Sequence, residues 1–296
     1  MIATPKVATD RTHVLAEGPF WDPARQQVLW VDTPQGDIYL GTLDNADNIT
    51  VTEILHLDET VSAVTATMTG ELVVAGTERL YTVAAGRFSP GPMVLGLDHR
   101  RRLNDAKADP VGRYLVGTAC VDGPSDSEML VCVGTDGLIT VIDDDLSLAN
   151  GLVWSPDGRL LYSIDSSRGV VFRRHYDPAT GATGQREIFI RFRRGLPDGM
   201  TIDSEHHLWI AVWGLGQVQR YSPQGHLVQA IEVPAPHTSS VVFAGPRLET
   251  LVITTGTHRL TADQVARYPD SGRIFTIRTG IRGIPQPLAT GFGSPS

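Results

Sequence analysis

The sequence has few cysteines, no long apolar run and no excess of positive charge, and each absence excludes a class of protein. Two cysteines, Cys120 and Cys132, among 296 residues are too few for a disulfide framework or a zinc cluster. In a reducing cytosol we expect two buried thiols, although the stretch between them could also form a hairpin that brings them face to face. No apolar run approaches the roughly 18 residues that span a bilayer. The net charge of −8 and the pI near 5.5 disfavour nucleic acid and anionic membranes as partners.

Several common catalytic motifs and targeting signals are also missing. The sequence contains no G-x-S-x-G, H-E-x-x-H or G-x-G-x-x-G pattern, which disfavours a serine hydrolase, a zinc peptidase and a Rossmann enzyme. The first residues, MIATPKVATDRTHV, lack the apolar stretch of a secretory signal. We therefore expect a cytoplasmic protein. For its oligomeric state we expect a monomer or a weak homodimer.

Short apolar runs bounded by Gly, Pro, Asp and Ser recur along the chain, whereas helical periodicity is scarce. Six segments share one pattern of apolar strand, tight turn and second apolar strand. The residues that open the six turns lie 41 to 48 residues apart and are Asp22, Thr67, Asp109, Ser155, Asp203 and Ala244. A period in the forties with several strands per unit is typical of β-propeller blades. The sequence therefore predicts one all-β domain over residues 1–296, a six-bladed β-propeller with four-stranded antiparallel blades.

The regular period argues against a β-sandwich, the alternative all-β fold, which would not require it. Near the C-terminus, the stretch GRIFTIRT predicts one more strand. An N-terminal strand around THVL, residues 12–15, is expected to complete the last blade and close the ring.

Five residues before each turn lies a position that the common register makes equivalent in every blade. We expect it at the start of each innermost strand, where the side chains converge at one mouth of the channel: Glu17, Ser62, Asn104, Asn150, Asp198 and Ser239. Asn-Gly and Asp-Gly are also good turn dipeptides, but a turn accounts neither for Glu17 nor for the shared offset. Carboxylate and amide oxygens without Cys or His suit one hard or borderline divalent cation, namely Ca²⁺, Zn²⁺, Mn²⁺, Mg²⁺ or Fe²⁺.

Five stretches form an ordered set of motifs along the chain. They are EGPFWD at 17–22, RLNDAKADPVGRYLVGT at 102–118, NGLVWSPDGRLLYSIDS at 150–166, PDGMTIDSEHHLWIAVWG at 197–214 and PAPHTSSVVFAGPRLETLVITT at 234–255. Together they resemble the senescence marker protein (regucalcin), gluconolactonase and sugar-lactonase family. The resemblance covers nearly the whole chain and implies a six-bladed propeller with one divalent metal ion in its channel.

The resemblance also implies roles for individual residues. It makes Glu17, Asn150 and Asp198 the protein ligands of the metal, and Asp198 in addition the general base. It makes Arg102 and Asn104 the groups that bind the sugar's oxygens. The alternative for Arg102, which ends an Arg-Arg-Arg run, is a solvated surface residue.

The expected activity is metal-dependent hydrolysis of a sugar (aldono) lactone to the sugar acid. The metal would polarise the carbonyl and lower the pKa of its bound water towards ~7, and Asp198 would act as general base. Two alternatives remain, a non-catalytic propeller that binds calcium or proteins and a promiscuous metal-dependent esterase. The sequence does not determine which sugar lactone is hydrolysed or which cation is bound.

Other side chains near these motifs have less defined roles. Trp209 and Trp213 alternate with apolar neighbours and are expected to be packing residues, while His237 could rim the pocket. Some family members place a substrate-binding Glu in the loop that reads CVDGPSDSEM here. Asp122 and Glu128 are candidates for that role, and neither is a clear match.

Overall fold

The computed structural model describes residues 4–96 and 100–292, and most of these residues lie in short antiparallel strands. The chain begins with β1 (Lys6–Val7). Blade 1 contains β2 (Ala16–Asp22), β3 (Gln27–Asp32), β4 (Asp37–Leu43) and β5 (Ile49–His56). Blade 2 contains β6 (Ala63–Ala66), β7 (Leu72–Ala75), β8 (Arg79–Ala84) and β9 (Arg87–Met93). Blade 3 contains β10 (Arg101–Ala108), β11 (Tyr114–Cys120), β12 (Glu128–Val133) and β13 (Ile139–Leu146).

The second half of the chain repeats this arrangement. Blade 4 contains β14 (Ala149–Trp154), β15 (Leu160–Asp165), β16 (Val170–His175) and β17 (Glu187–Arg191). Blade 5 contains β18 (Leu196–Ile202), β19 (Leu208–Trp213), β20 (Gln217–Tyr221) and β21 (Leu227–Glu232). Blade 6 contains β22 (Thr238–Ala244), β23 (Thr250–Thr255) and β24 (Phe275–Arg278), with β1 as its fourth strand. These six four-stranded antiparallel sheets confirm the predicted fold class.

Two short helices interrupt the strands. A 3₁₀ turn spans Thr33–Gln35, and α1 (Ala262–Arg267) lies in the excursion between β23 and β24. Thr261 caps α1, because its hydroxyl accepts from Gln264 N while the Gln264 side chain accepts from Thr261 N. In the described part of the chain, neither helix has the length and apolar character that crossing a bilayer requires.

The ring closes in blade 6, where β1 pairs with β24 and places Lys6 opposite Thr276. The predicted closing strand at 12–15 is therefore wrong in position, although the strand predicted from GRIFTIRT is present as β24. The amides of Val14 and Leu15 donate to the Asp32 carboxylate at 3.0 and 2.9 Å, so they are not available for a ladder.

The core lies between the blades. Among the described residues, six clusters of buried apolar side chains each join two neighbouring sheets around the ring. The inner strands of a blade, such as β3, β7 and β11, are buried on both faces because each sheet packs against a neighbour on either side. The outermost strands, such as β5, β9 and β13, are mostly exposed or half-buried. The innermost strands β2, β6, β10, β14, β18 and β22 contact one another in this order and surround the channel.

Candidate functional site

Five of the six equivalent positions lie at irregularities in the innermost strands rather than in turns, and the sixth, Ser62, directly precedes β6. In five of the strands the pairing register shifts at or beside the position, after Glu17, Leu103, Asn150, Pro197 and Thr238. Such β-bulges break the regular alternation of side chains and re-aim individual residues. The turn-like dipeptides at 150–151 and 198–199 are therefore parts of strands, and the bulges direct the preceding side chains towards the channel mouth.

A glycine follows each of the three predicted metal ligands, and close packing at the channel explains why. Gly18 has a left-handed φ of 54°. A Cβ at Gly151 would lie 2.5 Å from the carbonyl oxygen of Asp198, and a Cβ at Gly199 would lie 1.9 Å from Ser240 Oγ. Glycine is the residue that accepts a positive φ or such a close approach without a clash. The repeated acid-Gly or Asn-Gly pair thus reflects how tightly the innermost strands meet.

A cavity of about 230 Å³ opens at this mouth of the channel. Five of the six equivalent positions line it, each from a different blade: Glu17, Ser62, Asn104, Asn150 and Asp198. Ser239 is not among the lining residues, so the predicted convergence of all six positions is wrong at this one. Its buried hydroxyl donates to the carbonyl oxygen of Ala16 at 2.5 Å and lies 2.9 Å from Thr254 Oγ1, so it links blades 6 and 1 instead.

A chain of hydrogen bonds joins the lining residues of three blades. Arg102 Nη1 donates to Asn104 Oδ1 at 2.8 Å, and Asn104 Nδ2 donates to Asn150 Oδ1 at 2.9 Å. Asn150 Nδ2 donates to Ser166 Oγ at 3.0 Å, and that hydroxyl donates to the carbonyl oxygen of Pro197 at 2.6 Å. Because each amide has a donor and an acceptor neighbour, the orientation of both asparagine side chains is fixed. Ser166, which the sequence analysis overlooked, connects the network to β18.

The two carboxylates at the mouth, Glu17 and Asp198, lie in an environment that disfavours their charged forms. Asp198 is only 6% exposed, and its Oδ1 has no hydrogen-bond partner among the described residues. Burial raises the pKa of Asp198 well above its usual value, with a further contribution from Asp105. Burial also raises the pKa of Glu17, as do the neighbouring charges of Asp198 and Asp105. Arg102 opposes both shifts, but the excess negative charge remains.

These residues fit the requirements of a bound dication. A cation between Glu17 and Asp198 would offset their mutual repulsion and give the orphaned oxygen of Asp198 a partner. Asn150 supplies an amide oxygen at the same mouth. In the described part of the chain no group of three or more His, Cys, Asp and Glu side chains is placed to hold a metal ion. The candidate set has two carboxylates and one amide, so it is poorer in charge than such a group.

Two charged residues deeper in the channel were not expected from the sequence. Asp105 lines both the mouth and a narrow cavity of about 10 Å³ below it, which Lys107 also lines. Lys107 Nζ donates to the carbonyl oxygen of Met200 at 2.9 Å. Burial raises the pKa of Asp105 and lowers the pKa of Lys107, while the charge of each residue opposes the other's shift. Their alternation in RLNDAKAD was a signal, because the innermost strand exposes every second residue to the channel.

An aromatic pair forms part of the mouth. Trp213 lines the cavity and stacks on His237, with ring centroids 4.0 Å apart and planes inclined by 14°. His237 Nδ1 donates to the carbonyl oxygen of His258 at 2.9 Å, which holds the stack in place. The expectation that Trp213 only packs is therefore wrong, whereas Trp209 is fully buried as expected. His237 lies behind the tryptophan rather than on the cavity wall itself.

Cys120 and Cys132 are free thiols, and they differ in environment. Cys132 is buried as expected, but Cys120 is half-buried and lines the cavity. The face-to-face alternative is wrong because Cys132 pairs with Leu115 across β11 and β12.

The loop after β11 approaches the cavity through a glycine and a proline rather than through its acidic residues. Gly123 and Pro124 line the cavity, whereas Asp122 and Glu128 do not. Glu128 is fully buried and accepts from Thr118 Oγ1 at 2.7 Å, so its carboxylate holds the loop to its own hairpin. Neither candidate for the missing Glu therefore reaches the site.

The fold and the site together define a class of protein, a six-bladed propeller whose channel mouth collects carboxylate and amide oxygens from separate blades. Residues 15–257 match the family described as the SMP-30/gluconolactonase/LRE-like region. The chain belongs to this family, which confirms the resemblance found in the sequence.

Relatives with this fold span almost the entire chain. YvrE of Bacillus subtilis (strain 168), a candidate sugar lactone lactonase, is 31% identical over 95% of this chain and 97% of its own length. The 6-deoxy-6-sulfogluconolactonase of Pseudomonas putida is 31% identical over 98% of this chain and 100% of its own. The crystal structure of a calcium-binding protein, regucalcin, from Agrobacterium tumefaciens superposes with a TM-score of 0.90 at 27% identity, covering 97% of both chains. The predicted enzyme class, a lactonase, is confirmed.

Proposed function

We propose that the protein hydrolyses a sugar (aldono) lactone to the sugar acid, with one divalent cation held by Glu17, Asn150 and Asp198. The observation that carries the proposal is the buried Oδ1 of Asp198, which has no hydrogen-bond partner in the described part of the chain although it lies at a cavity lined by polar groups of five blades. The relatives named for lactone hydrolysis support the substrate class, and the calcium-binding neighbour supports the cation.

The metal would supply Lewis-acid polarisation of the lactone carbonyl when it is bound. Ca²⁺, Zn²⁺, Mn²⁺, Mg²⁺ and Fe²⁺ all accept a ligand set of carboxylate and amide oxygens. The remaining work falls to the side chains of this chain, which orient the substrate and move a proton.

Asp198 is the proposed general base. Its carboxylate accepts a proton from the attacking water and returns it to the ring oxygen as the C–O bond breaks. A carboxylate with a raised pKa is a stronger base than an ordinary aspartate, provided that nearby positive charge keeps it ionised. Arg102 provides part of that charge, since its field lowers the pKa of both Asp198 and Glu17.

Arg102 and Asn104 take different parts in binding. Asn104 Nδ2 donates to the carbonyl oxygen of Ala149 at 2.8 Å as well as to Asn150, so both amide hydrogens are used inside the protein. We therefore assign Asn104 mainly to positioning Asn150 and Arg102. Within residues 4–96 and 100–292, the guanidinium of Arg102 donates to protein acceptors through Nη1, which leaves donors for the sugar hydroxyls or the product carboxylate.

Trp213 offers a flat apolar wall beside these polar groups. Its half-buried indole is held by the stack on His237, so it presents a fixed surface to the cavity. The carbon face of a sugar ring suits such a wall, while the hydroxyls meet the amides and Arg102. The cytoplasmic location and the monomeric or weakly dimeric state stay predictions.

The test is a panel of lactones assayed on chelator-treated protein with and without added dication. We expect hydrolysis of aldonolactones to fall at least tenfold after chelation and to return with one or more of the five cations. Unchanged activity in chelator would remove the metal from the proposal. Faster hydrolysis of aryl esters than of every lactone would favour the esterase, and no hydrolysis at all would favour the scaffold.

A second measurement separates metal binding from turnover. The dication should raise the melting temperature of the wild type, because a ligand that binds only the folded state stabilises it by about 2.7 kcal/mol at a hundredfold excess over its Kd. Glu17→Gln should reduce this rise, while Glu71→Gln, on an exposed turn of blade 2, should leave it unchanged. Equal shifts in both variants would place the cation elsewhere.

A further inference from the structure

Arg259 lines the mouth of the cavity but belongs to none of the motifs that identify the family. It lies after β23, in the excursion that leads to α1, and its side chain is exposed. It has no hydrogen-bond or ion-pair partner within the described residues. A cation at the edge of a polar cavity, without an acid beside it, is available to a ligand.

The turn that carries Arg259 is anchored firmly. Thr257 N and His258 N both donate to the carbonyl oxygen of Val14, at 3.0 and 2.9 Å, and Leu260 N closes the turn onto the carbonyl oxygen of Thr257 at 3.0 Å. Arg259 occupies the third position of this turn with a φ of 61°. Glycine or asparagine is usual in that conformation, which costs other residues about 1 kcal/mol or more. The turn therefore holds an arginine at a place where the backbone alone would favour glycine.

The position of Arg259 in the ring determines which end of a bound ligand meets its positive charge. Arg102 lies on the innermost strand of blade 3, and Arg259 follows β23 of blade 6. In a six-membered ring these two blades face each other across the channel. A ligand whose acyl end lies against Arg102 therefore extends its other end towards Arg259.

The charges of the lining residues leave Arg259 uncompensated. Asp105 has Lys107 as its counter-ion, and a dication would offset Glu17 and Asp198. The carboxylate formed on ring opening would offset Arg102. Burial and the neighbouring charges of Arg259 and Arg102 lower the pKa of His258, which favours the neutral imidazole and leaves the charge on that turn to Arg259. A neutral sugar lactone would meet none of the charge at Arg259.

We propose that Arg259 is a specificity-determining residue, and that the substrate is a sugar lactone carrying an anionic group at the end remote from the lactone carbonyl. This inference rests on the proposed lactonase function and narrows its substrate class. His258 supplies a second donor on the same turn. A phosphate and a carboxylate share the chemistry that the arginine recognises, because each offers two oxygens to a guanidinium fork.

The experiment compares kcat/KM for three lactones: glucono-1,5-lactone, 6-phosphoglucono-1,5-lactone and glucaro-1,4-lactone. The wild type should prefer at least one anionic lactone over the neutral one. Arg259→Gln should lower the ratio of anionic to neutral kcat/KM at least tenfold, chiefly through KM. Arg267→Gln removes the same charge from the same excursion outside the cavity, and should leave the ratio unchanged. The two anionic substrates show whether phosphate or carboxylate is the group recognised.

Calorimetric titration with gluconate and 6-phosphogluconate gives a readout that does not need turnover. The wild type should bind the phosphorylated acid more tightly, and Arg259→Gln should lose at least tenfold of that advantage. A wild type that prefers the neutral lactone and gluconate, or a ratio that Arg259→Gln leaves intact, would overturn this inference while the lactonase function stands. Failure to hydrolyse any of the three lactones would count against the lactonase function, and the titration would still decide the role of Arg259.

Discussion

A buried aspartate lies near each end of strand β18, and the two differ in their hydrogen-bond partners. At the far end, Asp203 is fully buried and accepts from the backbone amides of Glu205 and His207 and from Trp209 Nε1. Arg220 Nε also donates to it at 2.8 Å. At the cavity end, five residues earlier, Oδ1 of Asp198 has no hydrogen-bond partner among the residues that the structure describes. Burial alone therefore does not distinguish a structural acid from a functional one.

Blades 1 and 3 show the same division between the ends of the innermost strands. Asp22 accepts from the amide of Ala24 and forms an ion pair with Arg25 at 2.6 Å, and Asp109 accepts from Arg113 and from the hydroxyl of Tyr176, each at 2.6 Å. The acids that open the turns thus stabilise the turns. The acids at the strand starts of blades 1 and 5, Glu17 and Asp198, remain electrostatically unbalanced, which is the usual condition of a site that awaits a ligand.

The largest expected effect concerns Asp198→Asn. Removing the proposed base should lower kcat/KM for the preferred lactone by about 10²–10⁴-fold. The melting temperature of the metal-free variant should not fall, because a neutral amide replaces a carboxylate that lacks a partner. Steady-state kinetics and thermal unfolding of the same preparation check both points. Wild-type rates in the presence of dication would refute the assignment.

The matching substitution near the other end of β18 is Asp203→Asn, which removes the charge that pairs with Arg220. The substitution leaves the buried Arg220 with the exposed Glu205, at 2.6 Å, as its remaining ion-pair partner among the described residues. It should cost about 3 kcal/mol of the free energy of unfolding, the low end for breaking a buried ion pair, measured by denaturant titration. Turnover per folded molecule should stay within a few-fold of the wild type, since Asp203 lies at the opposite end of the strand. Loss of activity without loss of stability would mean that the division between the two ends is wrong.

The smallest expected effect is on the pH dependence of stability in chelator-treated protein. Unfolded Asp and Glu titrate near pKa values of about 3.9 and 4.3, whereas burial and mutual repulsion raise the pKa of Asp198 and Glu17 in the fold. Their contribution to stability is therefore present below pH ~4 and is lost as the pH rises through the raised pKa values. Each pKa unit corresponds to about 1.4 kcal/mol. Glu17→Gln should lose less stability than the wild type between pH 4 and 8, and an identical profile would contradict the shift.

The period of the repeat and the offset of the polar positions were enough to predict the ring and most of the cavity wall. Five of the six offset residues line the cavity because the repeat gives them equivalent places in the blades, and in four of those blades a β-bulge at or beside the position re-aims the side chain. The sixth, Ser239, shows where this reasoning ends, since its small hydroxyl is satisfied by Ala16 before it reaches the channel. A sequence pattern gives the position of a side chain but not the competing acceptors around it.

Features that depend on contacts between distant segments were not predictable in this way. Val14 and Leu15 have the composition of a closing strand, but Asp32 takes their amides and shifts the closure to β1. The sequence around Trp213 predicts a packing residue. In the fold its indole lies at the cavity with the ring of His237, 24 positions later, stacked on its other face. Arg259 stands in a turn outside every motif, and only the folded ring brings it to the mouth.

Within the part of the chain that the structure describes, the channel is too narrow at its waist to pass a molecule the size of a sugar. Its waist, between Asp105 and Lys107, holds about 10 Å³, which is room for roughly one water. The far end is crossed by the C-terminal segment, where Gly283 bridges to Asp203 and Ala289 bridges to Thr67. A sugar acid formed at the mouth must therefore leave through the same opening by which the lactone entered. Exit and entry compete for one passage, so accumulated product should inhibit the enzyme competitively.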